Sequence, residues 1–223
     1  MALTRYQDLC LDAHDAVLVG RFWAATLGGE LEVQDVGDTV VRGPAWGPLW
    51  VNVVPEPKVV KNRVHLDVRG PSVEPLLDLG ATVVAAHDGW TVLADPEGNE
   101  LCWFPGEPAG PGPVEAVAIC VDSAEPEVLA AWWQGVLGGE LGPGPDGTHR
   151  WLHGARGLDD VIFKCVRVPD ERVVKNRCHW DIAVDDVAAL VAAGAAILAE
   201  PGDAHRWTVL ADPQGNEFCA FTE

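Results

Sequence analysis

Apolar and polar residues follow one order along the chain, and that order occurs four times. Each occurrence predicts an apolar strand, a helix and then three further β segments. In the first quarter the strand is at residues 9–11, and a helix with apolar residues at near-helical spacing covers 16–27. Strands follow at 31–33, 39–41 and 49–54. The Gly28-Gly29 pair is a helix stop signal.

The other three quarters repeat this order of strand, helix and three strands. The predicted elements are 63–68, 73–79, 81–85, 90–93 and 100–104 in the second quarter, 117–121, 128–137, Leu141, 150–152 and 161–168 in the third, and 177–184, 187–193, 195–198, 207–210 and 217–221 in the fourth. The pattern predicts an α+β fold built from four βαβββ modules.

The sequence itself is also written twice. VVKNRVHLD at 59–67 returns as VVKNRCHWD at 173–181, with seven of nine residues identical. WTVLADPEGNELC at 90–102 returns as WTVLADPQGNEFC at 207–219, and LGGEL at 27–31 returns at 137–141. Repetition of several blocks in one order indicates a tandem architecture. A Pro/Gly-rich stretch separates the halves, so we predict domains at 1–106 and 114–223, joined by a linker at 107–113.

Charge and cysteine content narrow the function classes. The formal net charge of −19 is spread over both halves, which argues against nucleic acid and anionic membranes as partners. The six cysteines form no C-x-x-C pair, and free buried thiols are typical of a reducing compartment. The sequence shows no signal peptide and no apolar run long enough to span a bilayer. We therefore expect a cytoplasmic protein.

The module order, with L-G-G after the first helix and A-D-P-x-G-N-E before the last strand, resembles the vicinal oxygen chelate superfamily. The resemblance is closest to its glyoxalase-like and bleomycin-resistance branch. It implies tandem domains, each of two βαβββ modules that form a cup for a ligand, often over a divalent metal. One fold that hosts many activities leaves the function to be argued from the site.

The family's metal positions do not carry over. Its ligands are typically a His on the first strand, a His on the fifth and a Glu on the last. Alignment places Asp8 and Ala118 at the first position, and guanidinium groups, which have no lone pair to give, at the second. Thiols stand at the third. We therefore expect no metal and no other cofactor.

Polar residues on the repeated strands are the candidate site. Alternate residues of a strand share a face, which places the following candidates on the cup side: Arg63, His65, Asp67, Glu100 and Cys102, with their repeat mates Arg177, His179, Asp181, Glu217 and Cys219. Three interpretations remain open: a buried network in which an arginine pairs a glutamate, a ligand site, or catalysis by His65 oriented by Asp67. A displaced metal bound by His65 and Glu100 is a fourth.

Tryptophan is the other signal, with ten copies in the chain. Trp50 has no aromatic mate, because Lys164 stands at the equivalent position of the second half. The shared fold does not demand it, so we add Trp50 to the ligand candidates. The leading hypothesis is metal-free sequestration of a small organic molecule, with antibiotic-like molecules among the candidates. The alternative is a metal-dependent lyase, isomerase or dioxygenase of glyoxalase type. We expect a monomer or weak homodimer.

Overall fold

The computed structural model describes residues 2–43, 46–158, 160–169, 172–203 and 205–222. Every predicted helix and strand is present, and the bounds agree within a few residues except at the first strand, which extends beyond its apolar core at both ends. The elements are β1 (Thr4–Ala13), α1 (Ala16–Leu27), β2 (Glu30–Val33), β3 (Thr39–Arg42), β4 (Leu49–Val53), β5 (Val64–Gly70), α2 (Glu74–Asp78), β6 (Thr82–His87), β7 (Trp90–Ala94), β8 (Glu100–Pro105), β9 (Glu115–Ser123), α3 (Pro126–Leu137), β10 (Glu140–Pro143), β11 (His149–His153), β12 (Ile162–Arg167), β13 (Cys178–Val184), α4 (Val187–Ala192), β14 (Ala196–Ala199), β15 (Thr208–Ala211) and β16 (Glu217–Thr222).

The strands form two eight-stranded mixed sheets. Sheet A has the order β14-β15-β16-β13-β1-β4-β3-β2, and sheet B has the order β10-β11-β12-β9-β5-β8-β7-β6. At the centre of each sheet two strands from different modules run antiparallel, β1 beside β13 and β5 beside β9. Each module contributes four consecutive strands to one sheet. The predicted α+β fold of four βαβββ modules is therefore confirmed.

The modules pair across the two halves of the chain. Each sheet takes one module from each half of the chain, so that sheet A joins the first and fourth modules and sheet B the second and third. The two modules of one half do not share a sheet. The linker explains part of this arrangement, because it connects β8 to β9 and both of these strands flank β5 in sheet B.

Two crossovers connect the sheets. The chain leaves sheet A after β4 and enters sheet B at β5, and it returns after β12 to enter sheet A at β13. The two copies of Val-Val-Lys-Asn-Arg, at residues 59–63 and 173–177, are the ends of these crossovers. The strongest repeat in the sequence therefore marks the passage between the sheets.

Helices α1 and α3 pack on the apolar faces of the sheets. The side chain of Asp15 caps α1 by accepting a hydrogen bond from the Leu18 amide at 2.9 Å, and Gly28 ends it with a positive φ of 68°. Trp133 of α3 contacts an aromatic group in the core, with ring centroids 5.1–5.4 Å away in Phe163, Trp180 and Phe218. Trp180, which also lacks an aromatic mate, is thus a core residue.

The described helices are short. The longest, α1 and α3, have 12 residues each, and none in the described part of the chain is long and apolar enough to span a membrane.

Candidate functional site

Strand register brings the polar candidates together in two equivalent clusters. Cluster A is on sheet A and consists of Asp8, Cys10, His179, Asp181 and Cys219. Cluster B is on sheet B and consists of His65, Asp67, Cys102, Cys120 and Lys164. In cluster A, Cys10 lies opposite His179, Asp8 opposite Asp181, and Asp181 opposite Cys219. In cluster B, Cys120 lies opposite His65, and Asp67 opposite Cys102.

The clusters differ at two equivalent positions of the repeat. Lys164 lies opposite Cys120 in cluster B, whereas Trp50 lies opposite Cys10 in sheet A. Asp67 lies opposite Ala118, whereas Asp181 lies opposite Asp8. Cluster B therefore has an ammonium group that cluster A lacks, and cluster A has an additional carboxyl group.

The polar groups of cluster B bind one another. Lys164 Nζ lies 2.6 Å from Asp67 Oδ2, and His65 Nε2 lies 3.5 Å from Asp67 Oδ1 and 3.3 Å from Cys102 Sγ. Burial by itself raises the pKa of Asp67, but the His65 hydrogen bond and the Lys164 charge outweigh it, so the pKa is lowered. Asp67 is therefore an ionised carboxylate with a cationic partner.

Cluster A is electrostatically different. Cys10 Sγ donates to Asp181 Oδ2 at 3.5 Å, but Asp181 Oδ1 and His179 Nδ1 are buried and have no hydrogen-bond partner among the described residues. Burial, with a further contribution from the charge of Asp8, raises the pKa of Asp181 to about 7. Burial lowers the pKa of His179 to about 4, so its imidazole is neutral at neutral pH.

The two glutamate candidates belong to neither cluster. Glu100 Oε1 accepts from Lys58 Nζ at 2.9 Å, and its Oε2 accepts from the Asn62 amide at 3.0 Å. Glu217 repeats this arrangement with Arg172 and the Asn176 amide. Each glutamate thus has a cationic partner, which is Lys58 for Glu100 and Arg172 for Glu217, and neither glutamate is linked to the histidine and aspartate of its cluster. The glutamates anchor the crossovers to β8 and β16.

The two arginine candidates lie at a cavity between the crossovers. This crossover cavity has a volume of about 770 Å³. Both copies of the repeated pentapeptide line it, together with a few residues at the ends of β1, β4 and β9: Asp12, Val54, Glu56, Pro57, Val59, Val60, Lys61, Asn62, Arg63, Asp122, Val173, Val174, Lys175, Asn176 and Arg177.

Valines and ion pairs share the cavity wall. Val59 and Val173 are each 74% exposed, an unusual state for a large apolar residue that recurs in both copies. Lys61 pairs with Asp122, and Lys175 with Asp12. The wall thus combines exposed valines with lysine–aspartate ion pairs, and Glu56, Arg63 and Arg177 are further charged residues that line it.

Sequence reasoning missed several of these residues. Cys10 and Cys120 were visible as repeat mates inside apolar runs, and Asp8 against Ala118 as a mismatch of the repeat. Lys164 was visible only as the residue at the repeat position equivalent to Trp50. Nothing in the sequence except their repetition marked the lysines of the crossovers as site residues.

A family profile described as "Glyoxalase-like domain" matches residues 8–104 and 118–221. The chain belongs to the glyoxalase-like domain family. The match occurs once in each half, in agreement with the tandem vicinal oxygen chelate architecture indicated by the motifs. No curated protein sequence matches the chain significantly.

Solved structures agree with this family. The chain is similar to a glyoxalase I mutant from Zea mays, with 16% identity, a TM-score of 0.67, and coverage of 99% of this chain and 94% of that one. It is similar to a putative dioxygenase from Bacillus subtilis, with 13% identity, a TM-score of 0.65, and coverage of 99% and 86%. It is also similar to the cppA protein from Streptococcus pneumoniae, with 12% identity, a TM-score of 0.54 and full coverage of both chains. At these identities the likeness concerns the fold.

The two clusters differ in how well they fit the divalent metal common in this glyoxalase-like superfamily. In cluster B, ligand atoms of His65, Asp67 and Cys102 lie within 4.8 Å of one another, but Lys164 Nζ pairs with one of the two Asp67 oxygens, so this cluster fits a metal less well. In cluster A, ligand atoms of Cys10, His179 and Asp181 lie within 4.8 Å of one another. Sulfur, nitrogen and oxygen donors of this kind suit a zinc-type ion. The arginines that the alignment placed at the metal position lie instead at the crossover cavity.

Proposed function

We propose that the chain binds and sequesters a small organic molecule in the crossover cavity, without a metal and without catalysis. The observation that carries the proposal is the cavity of about 770 Å³ lined by both copies of the pentapeptide. Sites for small molecules are commonly apolar clefts of about 300–1,000 Å³ with a few polar groups. The fold of a small-molecule-binding family supports the same function.

The wall indicates what such a molecule is like. Val59, Val60, Val173 and Val174 are exposed at 74%, 37%, 74% and 42%. An apolar patch of this kind on a protein surface usually marks a binding site. The lysines and arginines at its rim can bind acceptor groups of the ligand. We therefore expect an apolar molecule that carries at least one hydrogen-bond acceptor.

Binding in this cavity needs no metal. Among the described lining residues there is no histidine or cysteine, and the Asp12 and Asp122 carboxylates are paired with Lys175 and Lys61, which leaves Glu56 as the one further carboxylate of the described lining. A hard cation binds unpaired oxygen ligands. The six free, buried cysteines favour a reducing compartment, so we keep a cytoplasmic location as part of the proposal.

A metal-dependent lyase, isomerase or dioxygenase is the second candidate, and cluster A favours it. Cys10, His179 and Asp181 would hold the ion, which would supply Lewis-acid polarisation of a substrate oxygen. The two candidates use different residues and are therefore separable by mutation.

Mass spectrometry of small molecules that co-purify with the native protein tests the proposal. We expect a bound molecule in the wild-type protein and its loss in Val60→Asp/Val174→Asp, because a carboxylate in an apolar wall opposes binding. Both valines are exposed, so the unfolding free energy should change by only about 0.5 kcal/mol. Val36→Asp, at a valine that is 78% exposed elsewhere, is the matched control. Retention of the molecule by the double variant, or its release by a chelator, would overturn the proposal.

A further inference from the structure

Clusters A and B are built from equivalent strand positions, and in cluster B an ammonium group is bound there. Lys164 Nζ lies 2.6 Å from Asp67 Oδ2. The same ammonium lies 5.2 Å from the ring centroid of Phe104 and 4.7 Å from that of Trp151. A carboxylate with two aromatic faces is a complete site for a primary ammonium ion. In sheet B the protein fills this site with its own side chain.

The equivalent ammonium is missing from cluster A. Trp50 occupies the strand position of Lys164, and no basic side chain among the described residues pairs with Asp181. Asp181 is 8% exposed and His179 is 9% exposed, yet Asp181 Oδ1 and His179 Nδ1 lack partners in the described structure. A buried polar atom without a partner costs about 1–3 kcal/mol. Asp181 Oδ1 is therefore a hydrogen-bond acceptor in need of a donor, whereas His65 Nδ1 of cluster B lacks a partner as His179 Nδ1 does, so the histidines do not distinguish the clusters.

Part of the aromatic surroundings is retained in sheet A: Phe104 has an aromatic counterpart, whereas Val40 lies opposite Trp50 where Trp151 lies opposite Lys164. Phe221 follows Cys219 by two residues, as Phe104 follows Cys102, so each ring is on the same face as the thiol of its cluster. Phe221 packs against Trp207 with ring centroids 5.2 Å apart. Both rings are half-buried, as is Trp50, so they remain accessible to a molecule from solvent.

The charge of cluster A also favours a cationic ligand. Asp8 adds a second carboxyl group beside Asp181, where cluster B has Ala118. Asp8 is within reach of the indole of Trp50 and of the charges of Arg42 and Arg5. Asp181 has no such cation. The cluster lacks one positive charge relative to its counterpart.

The geometry points to cluster A as a binding site for an organic primary ammonium ion, whose nitrogen takes the place that Lys164 Nζ has in cluster B. Asp181 Oδ1 accepts one N–H of the ligand. The apolar part of the ligand lies against Trp50, Trp207 and Phe221. This site is distinct from the crossover cavity and does not depend on the function proposed for it.

The n-butylammonium ion is the direct probe, because it is the side chain of lysine without its backbone. Calorimetric titration and thermal melts of the full chain should show binding of n-butylammonium and a higher melting temperature. 1-Butanol, of similar size but neutral, should have neither effect. Asp181→Asn should weaken binding by about tenfold or more, since it removes the charge-assisted hydrogen bond. Asp67→Asn, the matched change in cluster B, should leave wild-type affinity for the probe at cluster A.

Two reciprocal variants sharpen the test. Trp50→Lys should supply the missing ammonium from within, so that the variant melts at a higher temperature and no longer binds the probe. Lys164→Ala should melt lower and recover part of the loss in n-butylammonium. Absence of a wild-type response to n-butylammonium overturns the inference, whatever Lys164→Ala shows. Binding of Zn²⁺ that Asp181→Asn abolishes, without binding of n-butylammonium, would likewise overturn it and make cluster A a metal site.

Discussion

Asp67 and Asp181 occupy equivalent positions but have opposite electrostatic environments. Asp67 has the Lys164 ammonium at 2.6 Å, whereas Asp181 is surrounded by Asp8, two thiols and a neutral imidazole. The pKa of Asp67 is lowered and that of Asp181 is raised to about 7. The same residue in the same strand position therefore stabilises the fold in one sheet and opposes it in the other.

This difference predicts opposite effects of two matched variants. The folded protein holds a proton on Asp181 up to a pH of about 7, whereas the unfolded chain loses it near 3.8. Between these values the native state binds more protons, so wild-type stability falls as pH rises. Asp181→Asn removes this loss. From pH 5 to pH 8 the variant should gain about 2–3 kcal/mol relative to wild type, measured by urea unfolding.

Asp67→Asn should behave in the opposite way. Its lowered pKa gives stability that is present above the unfolded value and is lost as pH falls through the folded value. The variant leaves Lys164 buried without its anion, so we expect a loss of about 3 kcal/mol across pH 5–8. Equal effects of the two substitutions, or a pH-independent difference for Asp181→Asn, would contradict the assigned environments.

Sequence reasoning reached these residues only in part. Alternation along β5 and β13 correctly predicted that His65 shares a face with Asp67, and His179 with Asp181, because a strand places alternate side chains on one face. It did not identify Lys58 as the cation that pairs with Glu100, because strand alternation does not say which cation reaches a carboxylate. Lys58 comes from a crossover, and nothing in the periodicity places a crossover side chain.

At the scale of elements, the crossovers are held by their glutamates. Lys58 and Glu100 have side chains only 14% and 15% exposed, and Glu100 also accepts from the Asn62 amide. Glu100→Ala should therefore lower the unfolding free energy by about 3 kcal/mol, since it leaves a buried cation without a partner. Glu32→Ala removes a pair with Arg42 whose side chains are both 48% exposed, and should cost less than about 1 kcal/mol. Thermal melts compare the two. Unchanged melting of Glu100→Ala would favour a ligand-binding role for this carboxylate.

The helices and strands could be predicted because each has its own periodicity of apolar residues. Which strands pair with one another could not be predicted. The apolar pattern of β1 requires a neighbouring strand from another module, and β5 and β13 carry nearly the same sequence. Either one buries the same surface beside β1. The choice of β13 depends on how the crossovers and the linker connect the sheets, and local pattern contains no information about that choice.

At the scale of the whole molecule, neither half can complete a sheet by itself. Residues 1–106 supply β1 to β4 to sheet A and β5 to β8 to sheet B, while β1 pairs with β13 and β5 with β9 of the other half. Expressed alone, this half would have two four-stranded sheets with unpaired central strands. Exposed strand edges of this kind promote pairing with another chain. Because β13 is the repeat mate of β5, a second copy of the half can offer its β5 to β1.

We therefore expect residues 1–106 alone to fold only as a dimer, and the full chain to be a monomer. Light scattering across a dilution series gives the mass, and circular dichroism on the same samples gives the folded fraction. Mass and folded fraction of the half should fall together on dilution, because its stability is linked to association. The full chain should keep both constant, since its partner modules are covalently joined. A half that stays folded as a monomer at the lowest concentration would show that the two modules of one half can complete a sheet between them, contrary to the observed strand pairing.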